Sequence, residues 1–215
     1  MQVNSRGYKN MNKAGIIIWF LVFLLVLGWS AFDPHDYLTW ALEVLPAVIG
    51  ALVLLALVLK RIEITPVVVV LILLHCIILI VGGHYTYALV PGFEDFMSNI
   101  WPERNNYDKL GHFVQGFVPA LICREIVIRQ NVFNSMAWQR FFVVCFCLAF
   151  SAFYELIEWW VALLSGEEAE SFLGSQGYVW DTQSDMFLAL IGSVVALLVL
   201  SHWHNRQLNR IKEHS

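Results

Sequence analysis

The sequence predicts an all-α membrane protein, a bundle of six transmembrane helices with N- and C-termini cytoplasmic. Three observations carry that prediction. Of 215 residues, 59% are hydrophobic and only 14% are charged, whereas a soluble domain is about half apolar and about a quarter charged. The apolar residues gather in six blocks of the length a helix needs to cross hydrocarbon. Under six crossings, the basic residues then collect on one side of the membrane.

The blocks run over 14–32, 38–59, 65–81, 110–128, 141–164 and 185–201, within one integral domain covering 1–215. A short basic segment precedes the first block. Its apolar run is too long for a typical signal core, and no A-x-A-like site follows before Asp33, so it reads as a retained anchor. Translation can start at Met1 or Met11. The third block contains Val67 to Val70, a strand-like run by propensity, yet an open strand in lipid would leave its backbone unpaired. Thr65 and Pro66 at its start read as a helix cap with proline in the first turn.

The fourth block is interrupted by Gly111, His112, Gln115, Gly116 and Pro119, and charge decides whether it crosses. With six spans, Arg6, Lys9, Lys13, Lys60, Arg61, Arg124, Arg129, Arg140, Arg206, Arg210 and Lys212 lie inside, against Arg104 and Lys109 outside. That is 11 against 2 of the 13 basic residues. Without that crossing the count becomes 5 against 8 and the expected bias inverts.

A formal charge of −4 and a pI near 5.9 leave no basic face to track a phosphate backbone, so nucleic acid is excluded as a partner. The lipid bilayer is the expected surrounding. Cys76, Cys123, Cys145 and Cys147 lie inside apolar stretches and read as buried apolar side chains, neither disulfides nor a zinc site. The chain contains no internal repeat, low-complexity tract or linker.

The six-span topology gathers acidic residues on the outer side, in 83–109, 165–184 and the adjoining helix ends. Ionisable groups at membrane depth are costly and mark candidate sites. Asp108, His112 and Gln115 follow i, i+4, i+7 spacing, as do Ser151, Glu155 and Glu158, while Asp181 and Asp185 stand at i and i+4. Each set therefore shares one helix face. With Leu164 as the outer end, Glu158 lies about 9 Å and Glu155 about 13 Å deep, so both should face the bundle interior. This excess of carboxylates over cations, with imidazoles beside it, suits a divalent metal held by His84, Asp108, His112, Glu155, Glu158, Asp181 and Asp185. Protons shared among crowded carboxylates are the competing account.

Each residue also has a plainer reading. His84 can be an interfacial hydrogen-bonding residue, His112 a helix-packing bond, Glu155 and Glu158 an ion pair to Lys109, and Asp181 a helix cap. Glu167, Glu168 and Glu170 read as a solvated loop. The tryptophans and tyrosines near the outer boundary, Trp29, Trp40, Trp101, Trp159, Trp160, Tyr37, Tyr87, Tyr107 and Tyr178 among them, read as an interfacial belt. At the inner boundary, Arg124, Glu125, Arg129 and Arg140 are expected to snorkel, stay hydrated or pair locally. His202 and His204, two apart on a helix, point in different directions and are discounted as a metal site.

The segments GHYTYA (83–88), NNYDKLGHFVQGFVPALICREI (105–126), FSAFYELIEWW (150–160) and GSQGYVWDTQSDMFLALIG (174–192) together resemble the YjdF family of bacterial inner-membrane proteins, whose function is unknown. The resemblance runs from the first helix onward and implies a multi-pass protein of the bacterial cell inner membrane. A second, weaker resemblance is to VanZ-like membrane proteins, at Asp108, Lys109, His112, Glu155, Asp181, Asp185 and Gly192. Glu158 stands where that pattern has glutamine, and the asparagine after its last aspartate is missing. It implies envelope chemistry or glycopeptide-antibiotic tolerance.

The leading expectation is an outward-facing acidic/His pocket that binds a divalent metal and acts on an envelope or lipid-linked substrate. In an enzyme, His112, Glu155 and Glu158 would supply acid and base, Lys109 would neutralise an anionic group, and Tyr85, Gln115, Tyr154, Trp180 and Gln183 would contact substrate. The alternatives are a proton- or cation-coupled small transporter, for which Pro119 and the glycines of the fourth span allow a broken helix, and a structural or binding membrane protein without catalysis. Against the transporter stands a lack of polar residues deep in the inner half.

Overall fold

A computed structural model describes residues 13–102, 104–165 and 176–214. The described residues form six helices: α1 (Lys13–Ser30), α2 (Tyr37–Leu59), α3 (Pro66–His84), α4 (Tyr107–Arg129), α5 (Met136–Ser165) and α6 (Asp181–His214). All six are long and apolar enough to cross a membrane. The alternative starts and the Glu167, Glu168 and Glu170 loop lie outside the described residues. Charged and amide side chains at helix ends extend several helices past their apolar blocks: α6 begins at Asp181 and continues to His214, and α5 begins at Met136.

Local chemistry sets the helix starts. Asp36 accepts a 2.6 Å bond from the Thr39 backbone at the start of α2, and the Thr39 bonds hold the Asp36 carboxyl below its usual range. Thr65 stands at the N-cap of α3 with Pro66 next, but its hydroxyl makes no cap bond. It donates instead to Glu125 of α4 at 2.5 Å.

One apolar cluster joins α1, α2 and α3 around Trp19, Val44, Leu54 and Ile80. A second joins α3, α4, α5 and α6 around Val68, Leu121, Val143 and Ala196. Helix α4 lies at the centre, packed on α3, α5 and α6. It passes unbroken through Pro119, so the fourth span is a continuous helix. Its glycines serve close approach instead: a Cβ on Gly116 would overlap the Ala189 carbonyl of α6, and one on Gly192 would overlap the Phe113 carbonyl of α4. Small residues that let backbones meet are the usual device of helix packing in lipid. Cys145 is exposed, unlike the other three cysteines, and all four are free thiols. It lies on the outer surface of α5 because Cys147, two residues on, takes the buried side.

Segment 85–106 folds over the end of the bundle holding His84, Asp108 and Asp181, here termed the acidic end. Asn106 donates to the Phe96 and Trp101 carbonyls at 2.7 and 3.0 Å. Asn105 and Gln176 exchange two bonds of 2.9 Å, which tie this segment to the start of α6. The opposite end, carrying Lys60, Arg124, Arg129 and His204, is the basic end.

Candidate functional site

The helical spacings of Asp108, His112 and Gln115 on α4, Glu155 and Glu158 on α5, and Asp181 and Asp185 on α6 turn all seven side chains toward one another at the acidic end. His112 stands at the centre. Its Nε2 is 3.2 Å from Asp108 Oδ1 and 4.0 Å from Asp185 Oδ2. Its Nδ1 is 3.1 Å from Gln115 Oε1 and 3.7 Å from Glu155 Oε1. Two sets each offer ligand atoms lying within 4.8 Å of one another: Asp108, His112 and Asp185, and His112, Glu155 and Glu158. Glu155 Oε1 is buried without a hydrogen-bond partner among the described residues, a costly condition for a carboxylate oxygen in a low-dielectric interior.

Lys109 is committed elsewhere. Its ammonium donates to Asp181 Oδ1 and Asp185 Oδ1, both at 2.6 Å, and the residue is 1% exposed. Arg104 donates to the same Asp181 oxygen at 2.6 Å. The expected neutralising lysine is thus part of a buried ion-pair cluster joining α4, α6 and segment 85–106. Asp181, as the first residue of α6, spends its carboxylate on these two cations.

Several expected members lie apart. His84 Nδ1 is 2.9 Å from the Ser30 carbonyl, and its ring rests on Trp29 and Tyr85. The α1–α2 corner captures it, and neither ligand set includes it. Tyr85 packs with it against Trp29. Trp180 and Gln183 are exposed on the outer face of the α6 start. Tyr154 does reach the site, where its hydroxyl donates to Glu43 Oε2 at 3.3 Å.

Glu43, Tyr87 and Arg104 belong to the site without having been singled out for it. Glu43 is 5% exposed inside α2, where the Tyr154 hydroxyl donates to it and Tyr87 lies near it. A lone carboxylate inside a long apolar block was its available signal. The Tyr87 ring fills the space a Cβ would need at Gly82 and presses on Gly111, and burial pushes its hydroxyl pKa up.

Two recesses reach these groups. A cleft of about 950 Å³ runs between α2, α3, α4 and α5, starting at Glu43, Asp108, His112 and Glu158 and ending at Glu125, Arg129 and Gln130. Most of its lining is apolar. His75 of α3 lines it midway, and His75 Nε2 has no hydrogen-bond partner among the described residues. A second recess of about 560 Å³ between α5 and the start of α6 is lined by Glu155, Glu158 and Asp181.

At the basic end Glu125 and Arg129 pair locally at i, i+4, as expected, and partners from other elements are added. Glu125 accepts from the Thr65 hydroxyl at 2.5 Å and from His204 Nε2 at 3.2 Å, and its other oxygen lies 3.2 Å from Arg129. Arg124 donates to His204 Nδ1 at 2.9 Å and to Asn205 at 2.5 Å. Because a guanidinium only donates, His204 Nδ1 is an acceptor and its proton sits on Nε2, facing Glu125. His204 is therefore a buried link between α4 and α6, with Gln207 bonding the Val67 amide beside it at 3.0 Å. Polar residues do reach the interior of this half.

Comparison with known proteins decides the family. Residues 15–206 match the family described as "Predicted membrane protein (DUF2238)". The chain belongs to this family. It is also similar to the Inner membrane protein YjdF of Escherichia coli (strain K12), 50% identical over 191 residues that cover 88% of this chain and 90% of that relative. No solved structure matches. With six spanning helices, this makes the chain a multi-pass inner-membrane protein, as the family resemblance implied. Nothing in these matches supports the weaker VanZ-like resemblance.

Proposed function

We propose that the acidic end is a divalent-metal site, facing the outer leaflet, that acts on an envelope or lipid-linked substrate. The observation that carries this reading is Glu155 Oε1, a buried carboxylate oxygen beside His112 and Glu158 that has no hydrogen-bond partner among the described residues. A divalent cation would satisfy that oxygen together with the His112 ring and the Glu158 carboxylate. When bound, it would polarise a phosphoryl or carbonyl oxygen of the substrate. Asp108, bonded to the other ring nitrogen, orients His112. The 560 Å³ recess gives access to Glu155 and Glu158.

The test is a thermal melt of the detergent-purified chain against added Mn²⁺, Zn²⁺ or Mg²⁺ and against EDTA. At an ion concentration about 100 times Kd, binding to the folded state adds about 2.7 kcal/mol and raises the melting temperature. An unmoved melt with every ion contradicts the metal site.

A second reading, a cation- or proton-coupled carrier, is favoured by the cleft's reach to Glu125 and Arg129. Single cysteines along α4 separate the two. Labelling from the acidic-end side alone supports a site at one face, and labelling from both sides supports a carrier.

A further inference from the structure

The cleft is longer than one leaflet. Asp108 and Arg129 both line it, and at about 1.5 Å per residue they stand about 31 Å apart along α4, against about 15 Å for one leaflet's share of the hydrocarbon. Its volume lies at the upper end of small-molecule sites, about 300–1,000 Å³. The walls are unequal. Helix α5 lines the cleft only between Phe150 and Glu158, so the half nearer the basic end lacks that wall. There Val53 and Ile126 are 54% and 56% exposed, which leaves a side entrance from the bilayer. Pro46, Gly50 and Pro119 keep the lining shallow, and a Cβ on Gly50 would meet nothing closer than Cys76 Sγ at 4.0 Å.

We infer that this cleft holds a lipid whose single chain is longer than one leaflet, a polyprenyl phosphate in class, with its phosphate at the acidic end and its tail running past Gly50 toward Arg129. The inference rests on the proposed metal site for its head group, since Glu43, Asp108 and Glu158 would repel a bare phosphate and a bridging divalent cation removes the repulsion. It rests on cleft length for its tail. A two-chain phospholipid with its head at the same place would end in mid-membrane and leave the half toward Glu125 unfilled.

Gly50 lies about 10 Å along α2 from Glu43, beyond the reach of a five-carbon chain. The test uses the full chain in nanodiscs with tail-photoreactive undecaprenyl phosphate and dimethylallyl phosphate, in Mn²⁺. In Gly50→Phe, filling the cleft should cut undecaprenyl labelling about tenfold while dimethylallyl labelling stays within about twofold of wild type. Unchanged undecaprenyl labelling, or equal loss of both probes in a folded variant, overturns the chain site. So does labelling of wild type by a photoreactive phosphatidylglycerol as strong as by undecaprenyl phosphate. If Gly50→Phe does not elute as one folded species, Val53→Trp on the exposed rim of the same wall carries the test. Undecaprenol, lacking the phosphate, separates the two readings. Its labelling in EDTA supports the chain site even where the metal site fails, and its absence there and in Mn²⁺ contradicts the chain site.

Discussion

The ammonium of Lys109 lies 2.6 Å from the Asp185 carboxylate, and the two residues are 1% and 2% exposed. One lysine therefore holds the start of α4 to the start of α6, with Asp181 in the same ion-pair cluster. Its charge is matched by Asp181 and Asp185 of α6 and by Asp108 beside it, and is not free for a substrate. The charged groups it leaves to the two recesses at this end are the carboxylates of Glu43, Asp108, Glu155 and Glu158.

Removing that lysine should leave Asp181 and Asp185 buried with half their partners. Lys109→Met is expected to cost about 3–5 kcal/mol, the range for breaking a buried pair. The check is the folded fraction by size exclusion and the melting temperature in detergent. Adding Asp185→Asn to Lys109→Met should recover part of the loss.

Helices α4 and α6 meet backbone to backbone at Gly116 and Gly192. Gly116→Ala and Gly192→Ala should each destabilise by about 1–3 kcal/mol or more through overpacking, read as a lower melting temperature. Gly50→Ala, where a Cβ has room, should leave the melt near wild type.

At the basic end, His204 and His202 should behave in opposite ways although they are two residues apart. His204→Leu leaves Glu125 and Arg124 short of a partner and should cost about 1–3 kcal/mol. His202 is exposed, and His202→Leu should change stability by less than about 0.5 kcal/mol. Equal effects in a thermal or denaturant melt would contradict the His204 link.

Block length and charge bias were enough to read six spanning helices, because lipid forbids unpaired backbone and so overrides the strand-like propensity of Val67 to Val70. The meeting of Asp108, His112, Glu155, Glu158, Asp181 and Asp185 was legible for a similar reason: each pair sits on its own helix face at i, i+3 or i+4. Residues whose partners come from other elements were not legible. Glu43 has no titratable residue one helical turn away on α2, and the tyrosines around it, Tyr154 and Tyr87, arrive from α5 and from the segment after α3. His84 carries the right chemistry at the right height, but the Ser30 carbonyl, set by the α1–α2 corner, takes its ring away. The spacing of His202 and His204 correctly separated the two rings. It carried no information on Arg124 and Glu125, which α4 brings to His204 alone.

The central claim is that Glu155 and Glu158 bind a divalent metal with His112. Elemental analysis of the purified wild-type chain beside the double variant Glu155→Gln, Glu158→Gln tests it most directly, once both elute as folded species. The account predicts near-stoichiometric metal in the wild type, natively or after divalent ions are added back and excess is removed, and its loss in the variant. No retained metal in the wild type, or equal metal in both, would contradict it.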